Sequence, residues 1–147
     1  MKIYLAADHA GYELKEDIKK FLAGRGHDVI DKGASQFNAQ DDYPDFMRPA
    51  AEAGASDAGS VGILFGGAGQ GEAIAANRIP GIRAVVYYGG QKEIITLSRE
   101  HNDANILSIG ARFVTLEEAY EAIKIWLATP FTGVERHKRR IVKIDQA

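Results

Sequence analysis

Short apolar runs alternate along the chain with longer segments in which apolar residues recur at helical spacing. The apolar runs are bounded by glycine, proline or polar residues, and their length and composition are typical of buried strands. They predict strands over residues 2–7, 27–31, 61–65, 82–87 and 105–110. The remaining periodic segments predict helices over 12–22, 44–55, 72–77, 91–100, 115–127 and 133–144.

The alternation of strands and helices predicts a parallel sheet covered by helices on both faces. Right-handed crossovers and short connections favour a Rossmann-like, doubly wound sheet of about five parallel strands. We expect a single domain over residues 1–147. Thr115 and Glu118 have the spacing of a capping box and predict where the fifth helix begins.

Composition narrows the classes of function. The 147 residues, 46% apolar and 26% charged, are typical of one soluble globular domain. A net charge of -2 gives no reason to expect nucleic acid or an anionic membrane as a partner. Because no apolar run has transmembrane length and a strand rather than a signal peptide comes first, we expect a cytoplasmic protein. The absence of cysteine excludes disulfides, thiolate metal sites and a cysteine base.

Ligands of doubly wound folds bind at the carboxyl ends of the strands. Asp8 and His9 follow the first predicted strand, and a glycine-rich loop at 66–71 follows the third. His101 and Asn102 come just before the last strand. We expect these three loops to share one edge of the sheet and to form a single site.

The glycine loop leads directly into a helix that opens with Glu72. Closely spaced glycines let the backbone approach a ligand and turn N–H groups toward it, and the start of a helix adds unpaired donors. The pattern predicts stabilisation of an oxyanion while the Glu72 carboxylate moves a proton. A merely favourable acid in the first helical turn is the alternative interpretation of Glu72.

The same loop differs from the two common nucleotide-binding motifs. Gly67, Gly69 and Gly71 do not have the spacing of G-x-G-x-x-G, and the loop follows the third strand rather than the first. It also lacks the Lys-Ser/Thr pair of a P-loop. A nucleotide-binding domain is therefore disfavoured.

The other polar groups each have a structural alternative. Asp8 and His9 can form a turn with a capping aspartate, and His101 with Asn102 can simply end a helix. The basic run 136–140 can be a solvated helix face. The scattered histidines show no metal-ligand spacing, so we predict no metal site.

Several segments together extend over essentially the whole chain. They are AADHAG at 6–11, DYP at 42–44, GGAGQGEAIAAN at 66–77, PGIRA at 80–84, EHNDAN at 100–105, GAR at 110–112 and RHKRR at 136–140. Their combination and order resemble the type B ribose-5-phosphate isomerases and the related galactose-6-phosphate isomerase subunits. Each motif alone is weak, whereas the combination is highly specific.

The resemblance implies an aldose–ketose isomerase that acts on a phosphorylated sugar, ribose 5-phosphate first among them, through a cis-enediolate. It implies no metal and no cofactor. Many members use a cysteine just before the glycine loop as the base, and this chain has Phe65 there. Another branch uses a glutamate that matches Glu72. The resemblance also implies that His101 helps to open the sugar ring, with Asp8 or another polar group close by.

The resemblance further assigns the contacts with substrate. The loop N–H groups hold the enediolate oxygen, Tyr43 and Asn102 contact the sugar, and the arginines with nearby histidines hold the phosphate. The implied substrate-binding set is Asp8, His9, Tyr43, Gly67, Ala68, Gly69, Gln70, Gly71, Asn102, Arg112, Arg136, His137 and Arg140. Because the C-terminal arginines of the family reach the partner's active site, the resemblance implies a homodimer with shared sites, which can pair into a tetramer.

Ala68 departs from the family pattern, which usually has Ser or Thr at this loop position. That hydroxyl is thought to stabilise the enediolate or to assist proton movement between its oxygens. Its loss leaves two alternatives open: an isomerase for another pentose or hexose phosphate, and a sugar-phosphate-binding module with little turnover.

Overall fold

The computed structural model describes residues 1–146 and confirms a five-stranded parallel sheet. The strands are β1 (Lys2–Ala7), β2 (Asp28–Asp31), β3 (Val61–Gly66), β4 (Ala84–Tyr87) and β5 (Ile106–Gly110). Their order across the sheet is β2-β1-β3-β5-β4. Leu5 pairs with Ile63, and Ile63 in turn pairs with Leu107, so the three central strands run side by side in register.

Helices lie on both faces of the sheet, as predicted. They are α1 (Tyr12–Gly24), α2 (Pro44–Ser56), α3 (Gln70–Ala76), α4 (Glu93–Asn102), α5 (Leu116–Ala128) and α6 (Glu135–Asp145). Ile18 of α1 and Trp126 of α5 belong to the core on one face, whereas Met47 of α2 and Ala76 of α3 belong to the core on the other. Every residue of β3 and β5 is buried, because both faces of the central strands are covered.

Local signals explain where two of the helices begin. Thr115 accepts the N–H of Glu118, and the Glu118 carboxylate accepts the N–H of Thr115, so the predicted capping box is present at α5. α3 begins two residues before the predicted Glu72, because Gly69 adopts a left-handed conformation with φ of 79° and turns the chain into the helix there. Among residues 1–146, no helix is both long enough and apolar enough to span a lipid bilayer.

α6 packs far less closely against its own chain than the other long helices do. His137 is its buried residue, while Val142 and Ile144 on the same helix are 53% and 51% exposed. The predicted helix is therefore present with an apolar surface that the protomer does not cover. Its predicted contact with a second subunit stays a prediction.

Candidate active site

Glu72 lies in the first turn of α3, directly behind the loop that follows β3. Its side chain folds back over the end of the strand, where a methyl group on Gly66 would overlap the carboxylate. A side chain at position 66 would therefore displace the carboxylate. Glu72 is only 4% exposed, so the loop holds an acid in a largely desolvated place at the carboxyl end of the central strand.

Burial raises the pKa of Glu72 above its ordinary value of 4.5, because a buried carboxylate loses hydration. The negative charge of Asp8 raises this pKa further. The backbone N–H groups of Glu72 itself and of Gly69 act in the opposite direction, because they stabilise the charged form. The outcome is a carboxylate that binds a proton more readily than a solvated one, which suits a catalytic base.

Asp8 closes a turn between β1 and α1 at the same edge. Its Oδ1 accepts the N–H groups of Ala10 at 3.0 Å and Gly11 at 3.2 Å, and the residue is 5% exposed. Gly11 packs so closely on the end of β3 that a methyl group there would overlap the Phe65 backbone. The predicted turn is thus present, and its packing on β3 places Asp8 at the same strand end as Glu72.

The glycine loop is held by a hydrogen bond from β5, made by Ser108, which the sequence analysis did not single out. Ser108 of β5 is fully buried, and its hydroxyl donates to the Gly69 carbonyl oxygen at 2.7 Å. In the sequence Ser108 is one polar position in an apolar strand, and such a position has no specific signal. The N–H of Gly69 faces the Glu72 carboxylate, so this group differs from the other loop donors, which we expect to serve an oxyanion.

Two more predicted residues reach this loop from neighbouring elements. A methyl group on Gly71 would lie 2.7 Å from the Tyr43 hydroxyl, and one on Gly67 would lie 3.3 Å from Nη1 of Arg112. The backbone N–H of Arg112 also donates to the Gly67 carbonyl oxygen at 3.1 Å. The predicted residues at the carboxyl edge are Asp8, His9, Tyr43, Gly67, Ala68, Gly69, Gln70, Gly71, Glu72 and Arg112.

His9 is held by a second residue that the sequence did not single out. Its Nδ1 lies 2.7 Å from Oδ1 of Asp41, and the same oxygen accepts the backbone N–H of His9 at 3.1 Å. The Phe37 ring meets the His9 ring edge-on, with centroids 6.4 Å apart. Both partners lie in the loop between β2 and α2, and no spacing rule relates that polar loop to His9.

Asp8, His9 and Asp41 each bring a potential metal ligand within 4.8 Å of the others. The sequence predicted no metal, because its histidines are scattered. In the structure Asp8 Oδ1 serves two backbone N–H groups, and Asp41 Oδ1 serves His9 twice. These hydrogen bonds occupy one oxygen of each carboxylate, and the absence of a metal site stays a prediction.

The prediction that His101 and Asn102 share this edge is wrong. They form the end of α4, and a crossover helix runs back along the sheet and therefore ends at the amino ends of the strands. The Asn102 carbonyl oxygen accepts from Nε of Arg83, which immediately precedes β4. The length of β5, roughly 16 Å for a strand of this size, separates these residues from the Glu72 loop. Residues that precede a strand belong at its amino end, and the chain order already contained this information.

The C-terminal residues of the predicted site also lie at the amino edge. The His137 ring stacks on the His101 ring, with centroids 4.3 Å apart and planes inclined by 15°. Burial lowers the pKa of His137, and the charges of His101, Arg136 and Arg140 lower it further. His137 is therefore a neutral packing partner of His101 at neutral pH, and its predicted contact with phosphate stays a prediction. Arg136 and Arg140 are exposed and stand one helical turn apart.

A cavity of about 540 Å³ also opens at the amino edge rather than beside Glu72. Arg83 and Asn102 line it together with Asp145 near the end of α6. Within one protomer, the predicted site is thus divided between the two ends of the sheet.

Comparison of the chain with known proteins shows the family to which it belongs. The model of the Ribose/Galactose Isomerase family matches residues 3–144. The chain belongs to this family. Ribose-5-phosphate isomerase B of Mycobacterium tuberculosis is 46% identical to it over 141 residues, covering 96% of this chain and 86% of the relative.

Solved structures of the family agree in fold. Ribose-5-phosphate isomerase B of Clostridium thermocellum superposes with a TM-score of 0.92 at 46% identity, covering 99% of this chain and 96% of that one. The enzyme of Mycoplasma genitalium with bound ribulose-5-phosphate superposes with a TM-score of 0.93 at 36% identity, covering 99% and 94%. The resemblance found in the sequence is confirmed, and the protein is an aldose–ketose isomerase of the sugar-phosphate class.

Proposed function

We propose that the protein interconverts ribose 5-phosphate and ribulose 5-phosphate through a cis-enediolate, with Glu72 as the base and without a cofactor. The observation that carries this proposal is the desolvated Glu72 carboxylate, held over Gly66 beside a loop of backbone donors. The M. genitalium relative, described with bound ribulose-5-phosphate, supports the choice of a pentose phosphate.

Glu72 removes the proton from the second carbon of the open-chain aldose. The electron pair of that C–H bond forms the double bond between the first two carbons, and the carbonyl oxygen takes the negative charge. Glu72 then returns the proton to the first carbon, while the hydroxyl proton on the second carbon moves to the first oxygen. Positioned acid–base transfer of this kind contributes about 10²–10⁴-fold to the rate.

The oxyanion of the enediolate needs donors that are already in place before the charge develops. The N–H groups of Ala68, Gln70 and Gly71 are the loop donors that meet this need, since that of Gly69 faces Glu72. Ser108 supports them indirectly, because it fixes the Gly69 carbonyl. Ala68 brings no hydroxyl to the site, so the proton exchange between the two oxygens falls to another group or to water.

Ring opening is assigned to His101, which comes from a second subunit. The supporting observation is the separation of His101 from Glu72 by the length of a strand within one chain. If the amino edge of one protomer meets the carboxyl edge of its partner, the two-fold symmetry of a dimer creates the same contact twice. We therefore propose a homodimer with two shared sites, in which His101 and Asn102 cross the interface with α6.

The phosphate is bound where the two edges meet. Arg112 and His9 belong to the carboxyl edge, while Arg136 and Arg140 come from α6 of the partner. Guanidinium groups suit this task because their planar fork donates two hydrogen bonds to one phosphate. Arg136 and Arg140 are exposed and take part in no ion pair within residues 1–146, which supports this assignment.

The decisive experiment follows a deuterium label at the second carbon of ribose 5-phosphate. We expect part of the label to be lost to solvent during isomerisation, because the protonated Glu72 carboxyl can exchange its hydrogen with water before it returns it. Phosphorylated pentoses and hexoses tested side by side should show the highest kcat/KM for ribose 5-phosphate. Isomerisation with complete retention of label in Glu72→Gln, at the wild-type rate, would contradict proton transfer by Glu72. Preference for a hexose phosphate would overturn the substrate assignment.

Ala68 favours one alternative, a module that binds sugar phosphates with little turnover. It predicts saturable binding of ribose 5-phosphate by titration calorimetry together with no product from any phosphorylated sugar. Measurable kcat with ribose 5-phosphate excludes this alternative.

A further inference from the structure

Asp41 commits one carboxylate oxygen entirely to His9. Oδ1 accepts both the ring Nδ1–H at 2.7 Å and the backbone N–H at 3.1 Å. The Asp41 side chain is 6% exposed, and its other oxygen, Oδ2, has no hydrogen-bond partner within residues 1–146. Asp41 is thus nearly buried, and its carboxylate makes both of these hydrogen bonds with His9.

The contact fixes which nitrogen of His9 is free. A carboxylate can only accept, so Nδ1 must carry the hydrogen. The other nitrogen, Nε2, is then available to a ligand. Because Oδ1 also holds the backbone of His9, the position of the ring and the position of its main chain are tied to the same atom.

The surroundings of His9 restrict the ring further. The Phe37 ring meets the His9 ring edge-on. His9 itself lies within the turn that the Asp8 side chain closes after β1. The His9 side chain keeps 29% of its surface exposed, which leaves room for a ligand to approach. This is the carboxyl edge, at which Glu72 and Arg112 also lie.

Two simpler interpretations explain less. A structural tie between the two loops needs only the backbone hydrogen bond of His9, and the ring contact would then be superfluous. A metal ion needs a ring nitrogen without hydrogen, whereas the His9 nitrogen that faces Asp41 donates to Oδ1.

We propose that Asp41 is a positioning residue that holds the His9 ring through its Nδ1–H and thereby directs Nε2 at the phosphate of the substrate. Binding of the phosphate brings the hydrogen that Nε2 and a phosphate oxygen then share. This inference rests on the proposed function, in which His9 contacts the phosphate. Asp41 itself touches no substrate atom and acts through His9.

The first test reads the tautomer of His9 in the protein without substrate. Long-range ¹⁵N–¹H correlation spectra report which ring nitrogen carries hydrogen, and His9→Gln identifies the signal among the four histidines. We expect the Nδ1–H form in the wild type and a mixture or reversal in Asp41→Asn, whose amide can donate as well as accept. A wild-type ring with hydrogen on Nε2 alone, or a tautomer unchanged by Asp41→Asn, overturns the proposal.

The second test separates positioning from stability by a double-mutant cycle. Asp41→Asn should raise the KM for ribose 5-phosphate about tenfold while kcat changes less, because phosphate binding is what the ring serves. In the His9→Gln background, the same substitution should add nothing. Asp45→Asn removes an equal charge from an exposed position nearby and should leave both constants unchanged.

Additive effects of Asp41→Asn and His9→Gln would refute the proposal, because a residue that acts only through His9 has nothing left to act on. A variant that loses activity because it unfolds will show a lower Tm in its melting curve. The ¹⁵N–¹H spectrum of its folded fraction then still shows whether Asp41 sets the tautomer of His9. If the wild type isomerises no sugar phosphate, the proposed function fails. The tautomer spectra and a titration with inorganic phosphate then still test whether Asp41 positions His9 for phosphate binding.

Discussion

The two edges of the sheet carry the two halves of the predicted site, and they are built differently. At the carboxyl edge, Glu72 and Asp8 are 4% and 5% exposed and are held by backbone N–H groups. At the amino edge, Arg136 and Arg140 project from the surface of α6 without a partner in the ion pairs of residues 1–146. The acids of one half are held by their own chain, whereas the arginines of the other half are exposed in the protomer.

The two halves differ in what they leave exposed. The carboxyl edge holds buried acids beside the glycine loop together with the exposed Arg112, and the amino edge carries the basic residues of α6 next to exposed Val142 and Ile144. Uncovered apolar surface favours the docking of one edge on the other. The comparison therefore supports a site completed between subunits, and the following predictions test each half in turn.

Glu72→Gln should have the largest effect, since it removes the proposed base and keeps its shape. We expect kcat to fall by about 10²–10⁴-fold, measured with ribose 5-phosphate at neutral pH. Because burial raises the pKa of Glu72, the wild-type rate should fall on the acid side at a pH above 4.5. Glu52→Gln, at an exposed position of α2, is the matched control and should keep full activity. A fully active Glu72→Gln would remove the base from the mechanism.

The same substitution should stabilise the protein. The folded state binds the Glu72 proton more tightly than the unfolded chain, so the penalty for the buried charge is absent below pH 4.5 and develops as the pH rises through the raised pKa. At pH 7 the neutral glutamine avoids that penalty, and Tm should rise by about 2–4 °C for each kcal/mol recovered. Melting curves at pH 4 and pH 7 check the sign, and a lower Tm at pH 7 would contradict it.

Mixing two inactive variants tests whether the halves come from different chains. In a mixed dimer of Glu72→Gln and His101→Ala, one site receives both defects and the other receives none. Random mixing should therefore restore about a quarter of the wild-type activity after subunit exchange. No recovery from a mixture that light scattering shows to be dimeric would contradict the shared site.

The carboxyl half was largely predictable from the sequence, because local rules act there. Apolar runs set the strands, closely spaced glycines set the loop, and Glu72 follows within one helical turn. Asp41 and Ser108 were not predictable, because their contacts with His9 and Gly69 join segments far apart in the chain and follow no spacing. Such contacts arise only when tertiary packing is known.

The amino half shows where motif order misleads. His101 and Asn102 were placed at the carboxyl edge because they carry reactive groups near a strand, although they precede that strand. The direction of a crossover helix puts its last turn at the opposite end of the sheet. In the proposed dimer a second copy brings these residues back to Glu72. The sequence could not reveal that geometry, since an interface between protomers leaves no local pattern.

Arg136→Ala should weaken substrate binding without disturbing the base. Loss of a charge-assisted hydrogen bond to phosphate should raise KM about 10- to 100-fold, with a smaller change in kcat. Lys138→Ala removes a charge from the opposite side of α6 and should leave KM unchanged. Equal effects of the two variants would indicate a general electrostatic contribution instead of a phosphate contact.

Ser108→Ala should have the smallest effect and reports on the loop itself. The Gly69 carbonyl oxygen then loses its 2.7 Å hydrogen bond inside the core, and the loop donors are held less firmly around the oxyanion. We expect kcat to fall about two- to tenfold with KM nearly constant. Ser60→Ala removes a comparable hydroxyl-to-carbonyl hydrogen bond before β3, so it should reduce stability alone. If both variants changed only Tm, Ser108 would contribute to stability alone. The geometry of the loop N–H groups would then be set by the glycine backbone itself.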